Sequence, residues 1–193
     1  MLRRTLIALS LVLLGGCTAM ADKSQKFAQP ETVIDAVVLT MNFGDISKIP
    51  AKMSAQVDPY QNDYVPALKT RVPATFENNG IRVLTPTQAK AAISSRNRYE
   101  IRIDAATFSQ SYTKDSWVHF DLLLWDRQLR KKIWAGRTQL SVTSDQPLLR
   151  SEKVAGDILN SLNREGLIQL KQGYAVDARG ERITDVSKFS TDR

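Results

Sequence analysis

Trp117-Val-His-Phe-Asp-Leu-Leu-Leu-Trp-Asp126 runs into Arg127-Gln-Leu-Arg-Lys-Lys132 and out through Ile133-Trp-Ala-Gly-Arg-Thr-Gln-Leu-Ser-Val-Thr143. Two runs of strand-forming residues flank a short basic segment, which predicts a β-hairpin. Val118, Phe120, Leu122 and Leu124 recur with a period of two and make one continuous apolar face. After the turn the matching set is Trp134, Thr138, Leu140 and Val142, with Gly136 among them. Opposed residues on paired strands point to the same side. Uniting the two dry sets therefore requires paired residue numbers with an even sum, such as 258 or 260. An odd sum would set Leu122 against Arg137 and Phe120 against Gln139, at a high cost in burial of polar groups. At a sum of 258, Asp121 faces Arg137 and His119 faces Gln139 on a wet outer side.

Outward from the hairpin, the chain alternates strand and helix signals. Thr32–Phe43 reads as a strand with Val33, Val37, Leu39, Met41 and Phe43 on one face. Gly44–Asp63 is polar, without clear period, and long for a loop. Tyr64–Asn79 reads as a helix carrying Val65, Leu68, Val72 and Phe76, with a kink or a late start expected at Pro73. Asn79-Gly80 supplies a left-handed stop. Ile81–Leu84 is a short strand, and Thr85-Pro-Thr-Gln88 is a capping box opening a short helix to about Ser94. Tyr99–Phe108 alternates as a one-sided strand. Pro147–Glu165 is the last helix, with Leu148, Val154, Ala155, Ile158, Leu159 and Leu162 on its dry side. A turn around Asp177-Ala-Arg-Gly180 interrupts the polar C-terminus. The expected fold is α+β: a two-layer sandwich with a mixed sheet of about five strands and two main helices on one face.

Not all of the hairpin's outer side is polar. Trp117, Leu123, Trp125 and Ile133 are assigned to it, and such apolar patches often mark a partner. Alternatively the long loop, or the C-terminal tail with Tyr174, Val176 and Phe189, folds over them. The basic tip Arg127, Arg130, Lys131 and Lys132 is either a solvated turn or a contact for anionic lipid or an acidic protein.

Chemistry is hard to build from this composition. The 193 residues include one Cys and one His, so neither a disulfide framework nor a multi-histidine metal site is available. His119 has no second His for a metal. Ser111-Tyr-Thr-Lys114 has the spacing of an acylating Ser-x-x-Lys, but it sits between strands, and no Lys-Thr-Gly follows. No basic-aromatic motif suggests nucleic acid. The expectation is a non-enzyme with no cofactor and no metal.

The N-terminus says most about location. Arg3 and Arg4 precede the uncharged run Thr5–Leu14, which is too short to span a ~30 Å hydrocarbon core. That is the form of a signal peptide. Leu14-Gly15-Gly16-Cys17 at its end resembles the bacterial lipobox, in which the peptide is cut before a Cys that carries the acyl chains. The resemblance implies a membrane anchor at Cys17. With Thr rather than Asp at position 18, it also implies sorting to the outer membrane, facing the periplasm. Losing Arg3 and Arg4 lowers the net charge from +7 to +5. The expected organisation is a signal peptide at 1–16, acylated Cys and flexible tether at 17–31, a periplasmic domain at 32–168 and a polar tail at 169–193. No later stretch approaches 18 apolar residues, so no transmembrane helix is expected.

The lipobox, the element order and the run Phe120-Asp-Leu-Leu-Leu-Trp-Asp126…Lys132-Ile-Trp-Ala-Gly136 together resemble small Gram-negative outer-membrane lipoproteins. The resemblance is to the group that includes the lipopolysaccharide-assembly lipoprotein (LptE)-like proteins and the TolB N-terminal domain. It covers about Thr32 to Ile168. It implies a domain that binds an envelope protein or polymer. A lipid or amphiphile carrier is the alternative, and a carboxylate-dependent envelope hydrolase a more distant one.

Overall fold

The computed structural model describes residues 24–44, 58–90, 93–110, 116–142 and 145–184. The expected lipobox (Leu14, Gly15, Gly16, Cys17) and most of the 44–63 loop lie outside these residues, as do Ser111–Lys114 and Phe189. The elements are β1 (Gln25–Lys26), β2 (Ala36–Asn42), α1 (Val65–Asn78), β3 (Arg82–Leu84), β4 (Tyr99–Gln110), β5 (Ser116–Asp126), β6 (Lys131–Ser141) and α2 (Pro147–Arg164).

The strands form one mixed sheet in the order β1-β6-β5-β4-β2-β3, one strand more than expected. β2 runs parallel to both β3 and β4, while the other neighbours are antiparallel. Both helices contribute to a single core with the sheet. Leu68, Val72 and Phe76 of α1 and Val154, Ile158 and Leu159 of α2 join Ile101, Phe120, Leu124 and Trp134 in it. The expected α+β sandwich is the fold observed.

The hairpin register is the one required by the dry faces: Phe120 pairs with Thr138, Asp121 with Arg137 and Leu124 with Trp134. It then shifts, because Trp125 pairs with Lys132. The extra residue is Ile133, a bulge that opposes nothing. The shift turns Ile133 inward to 1% exposure, so it does not belong to the outer face assigned to it.

α1 carries Pro66 in its first turn and departs from expectation at Pro73. It continues through Pro73 without a late start, and a widened π-type turn, Tyr60–Tyr64, precedes it. A proline ring collides with the carbonyl one turn back in an α-helix. The widened turn lies just ahead of Pro66, where that room is needed. The turn also buries Tyr60 and Tyr64 in the core. At the other end Gly80 has φ +83, and Ile81 N–H donates to Phe76 O at 3.0 Å, as a left-handed cap requires.

The Thr85–Gln88 capping box forms, with Thr85 N–H donating to Gln88 Oε1 at 2.8 Å. Among the described residues a short 3₁₀ turn, Gln88–Lys90, follows it. Ala89 alone of its three residues is buried, too little to repay helix nucleation. In α2, Leu148 is exposed, not dry as expected. Val33, which precedes β2 and is not part of it, is exposed as well.

Both expected chain ends are corrected. Part of the proposed tether is built into the domain: β1 pairs Gln25 with Ala135 and Lys26 with Trp134. Phe27 N–H then donates to Ile133 O at 2.8 Å, and Pro30 is buried. The segment 169–184 is not a free tail. Leu170, Ala175 and Ile183 are buried, and Val176 bridges Arg182 across the turn expected at 177–180. Asn79 clasps Val176 through both its amide nitrogen and its oxygen, at 2.8 and 2.9 Å. This strap therefore lies on the helices, away from the outer face of the hairpin.

Candidate interaction surface

β5 places Trp117, His119, Asp121, Leu123 and Trp125 on the sheet face opposite the helices, as its period of two dictates. Their cross-strand neighbours define the surface. Asp121 lies between Asp104 and Arg137, Leu123 between Arg102 and Ala135, and Trp125 between Glu100 and Lys132. Trp117, Leu123 and Trp125 are half-buried. The aromatic and aliphatic groups at the two ends of the strand thus bracket a polar centre.

Ion pairs organise that centre. Arg137 meets Asp121 at 2.7 Å, and Arg102 meets Glu100 at 2.9 Å. Glu100 also accepts a hydrogen bond from Thr40 Oγ1 at 2.9 Å. Burial works to raise the Glu100 carboxyl, but the bonds from Arg102 and Thr40 outweigh it and hold the group below the usual carboxylate range. His119 Nε2 lies 2.7 Å from Ser109 Oγ. Burial, reinforced by the nearby Arg137 charge, pushes the imidazole below its ordinary value, so it is neutral at pH 7.

Ser109–His119 has the form of a nucleophile and base. Its surroundings oppose that use. Arg137 disfavours the imidazolium that a general base must become, and the nearby Asp121 is engaged by Arg137. Among the described residues no group of three or more His, Cys, Asp or Glu side chains could hold a metal ion. No described helix is long and apolar enough to cross a membrane.

The basic tip divides in two. Arg127 is a brace, its guanidinium donating to Asn97 O at 2.7 Å and Ala89 O at 2.9 Å. Arg130, Lys131 and Lys132 are exposed, and Lys132 Nζ lies 4.9 Å from the centre of the Phe27 ring. Beneath the tip is a cluster that the sequence reading missed. Asp126, 1% exposed, accepts from Arg98 Nε at 3.0 Å and from the N–H groups of Gln128 and Leu129, each at 2.9 Å. Arg98 also donates to Glu31 Oε2 at 2.8 Å. An Asp closing a strand just before a turn was the available signal, since its side chain readily bonds backbone N–H groups two and three residues on. Nothing in the sequence spacing pointed to Arg98 or Glu31, which lie 28 and 95 residues away along the chain.

No family model and no curated protein matches the sequence. Two structures of the PelC dodecamer from Paraburkholderia phytofirmans align with TM-scores of 0.43 and 0.41 at 14% and 13% identity, each over 70% of this chain and 93% of that chain. A minor lipoprotein from Acinetobacter baumannii aligns at a TM-score of 0.35 and 11% identity, over 69% of this chain and 96% of its own. Lipoprotein GNA1162 from Neisseria meningitidis aligns at 0.34 and 14%, over 67% and 99%. Likenesses this loose carry no functional assignment.

Proposed function

We propose that the chain is a lipoprotein anchored in the outer membrane through Cys17, facing the periplasm, that binds another envelope protein or polymer and performs no catalysis. The anchor rests on Leu14-Gly15-Gly16-Cys17 behind a basic, then apolar, leader. The resemblance to LptE-like and TolB N-terminal-domain-like proteins supports the same class. The binding role is carried by one observation: Trp117, Leu123 and Trp125 share the sheet face that neither the helices nor the 167–184 strap covers. Aromatic side chains on a solvated face are what protein interfaces use as anchors. A carrier with its ligand between sheet and helices is less favoured, since Phe43, Phe76, Phe120 and Trp134 fill that layer.

Photo-crosslinking amino acids at Trp117 and Trp125 test the proposal in intact cells. A discrete adduct from both positions is expected, absent from a probe at Lys171 on the strap. Only background labelling at the two tryptophans would remove this face from consideration.

A further inference from the structure

We infer that the hairpin-tip end of the domain rests on an anionic phospholipid surface, the leaflet that holds the acyl chains of Cys17. The inference builds on the lipoprotein reading and adds an orientation to it.

The first argument is length. Because β1 ties the chain to β6, the stretch from the proposed anchor to the described fold is residues 17–23, not 17–31. Seven residues span at most ~24 Å. Gln25 sits opposite Ala135, and the tip at Arg130 is five residues further along β6, about 17 Å. The tip is therefore within reach of the membrane that the anchor enters.

The second argument is chemistry. Phe27, 46% exposed, and Leu129, 48% exposed, project at this end. Arg130, Lys131 and Lys132, all exposed, follow Leu129 directly in the chain, with the Lys132 ammonium against the Phe27 ring. Arg98 pairs with both Asp126 and Glu31, and Glu31 also feels Lys131, so the two carboxylates offset part of the charge at this end; Arg98, Arg127, Arg130, Lys131 and Lys132 still outnumber them five to two. Apolar side chains ringed by cations are the composition that seats a protein at the headgroup level of an anionic bilayer. Each cation near such a surface strengthens binding about fivefold.

The test uses the full acylated protein, whose one native Cys is occupied by lipid, so a Leu129→Cys substitution takes a single spin label. Mass spectrometry first establishes the lipid on Cys17; a bare Cys17 would refute the anchor itself, and this orientation with it. On vesicles of phosphatidylcholine with 30% phosphatidylglycerol, the label at 129 should become about fivefold less accessible to an aqueous nickel quencher than on pure phosphatidylcholine. A label at Asp145→Cys, on the opposite end of the sheet, should change less than twofold. The variant Arg130→Gln/Lys131→Gln/Lys132→Gln should restore accessibility at 129. Equal accessibility on both vesicle types, or equal protection at 145, overturns the proposal.

Discussion

Asp126 shows how much one buried carboxylate can organise. It ends β5, turns the chain through the Gln128 and Leu129 N–H groups, and draws Arg98 across from the start of β4. Its environment sets its charge. Burial opposes ionisation, but the Arg98 bond and the two backbone donors outweigh it, leaving the carboxyl below its ordinary range. Removing Asp126 leaves Arg98 with Glu31 alone and strips the Gln128 and Leu129 N–H groups of their acceptor. Asp126→Ala is expected to lower stability by roughly 3 kcal/mol in urea titration. A carboxylate whose folded pKa is depressed stabilises the fold fully above its unfolded value, and that contribution is lost as pH falls through the folded one. The wild-type chain should thus lose stability as pH drops below about 4, and Asp126→Ala should lose less over the same interval. Parallel pH profiles for the two would show that the fold does not depress the Asp126 pKa. The turn-forming role of Asp126 was legible from its place before the basic segment. Its charge partners were not, since opposite charges far apart in sequence give no periodic signal.

At the scale of elements, the hairpin was legible because burial leaves little freedom. A strand with one dry face slips by two residues or not at all, so Leu124 meets Trp134. The bulge at Ile133 broke that logic locally. Period-two counting cannot register an inserted residue, and Ile133 was assigned to the wrong side. The Trp-x-Gly pattern of Trp134-Ala-Gly136 has a packing cause. Trp134 is fully buried, and a Cβ on Gly136 would lie 2.6 Å from its indole carbons. Gly136→Val is expected to cost about 2–3 kcal/mol by forcing that ring from its place. Near-ultraviolet circular dichroism would report the change, and an unaltered tryptophan signal would show that the ring has room to move. The capping box at Thr85 fails in the opposite sense: the local signal is obeyed, but the 3₁₀ turn it opens, Gln88–Lys90, buries Ala89 alone.

At the scale of the molecule, the first and last described segments both belong to the fold. The N-terminal segment adds β1 to the β6 edge, and the C-terminal strap closes over the helices through Asn79 and Asn160. The strap's seat on α2 is Gly156, where an added Cβ would lie 2.4 Å from Ile183 Cγ2. Gly156→Ala should therefore lift the strap: amide exchange at Ala175, Val176 and Ile183 is expected to accelerate at least tenfold, with β4 and β5 unchanged. Exchange that stays slow at all three would mean that Ile183 is not what holds the strap down. Composition alone misread these ends, because polar residues dominate them and their few apolar side chains have no period. By itself the sequence determined the class of fold, the pairing and inner face of the hairpin, and the last helix, since each depends on local order or on a strict period. The tertiary structure alone decided which apolar residues are covered, that Gln25 and Lys26 join the sheet, and that Arg98 and Glu31 serve the hairpin turn. Those facts depend on contacts between segments distant in the chain, and burial becomes a property of a residue only when its neighbours are in place.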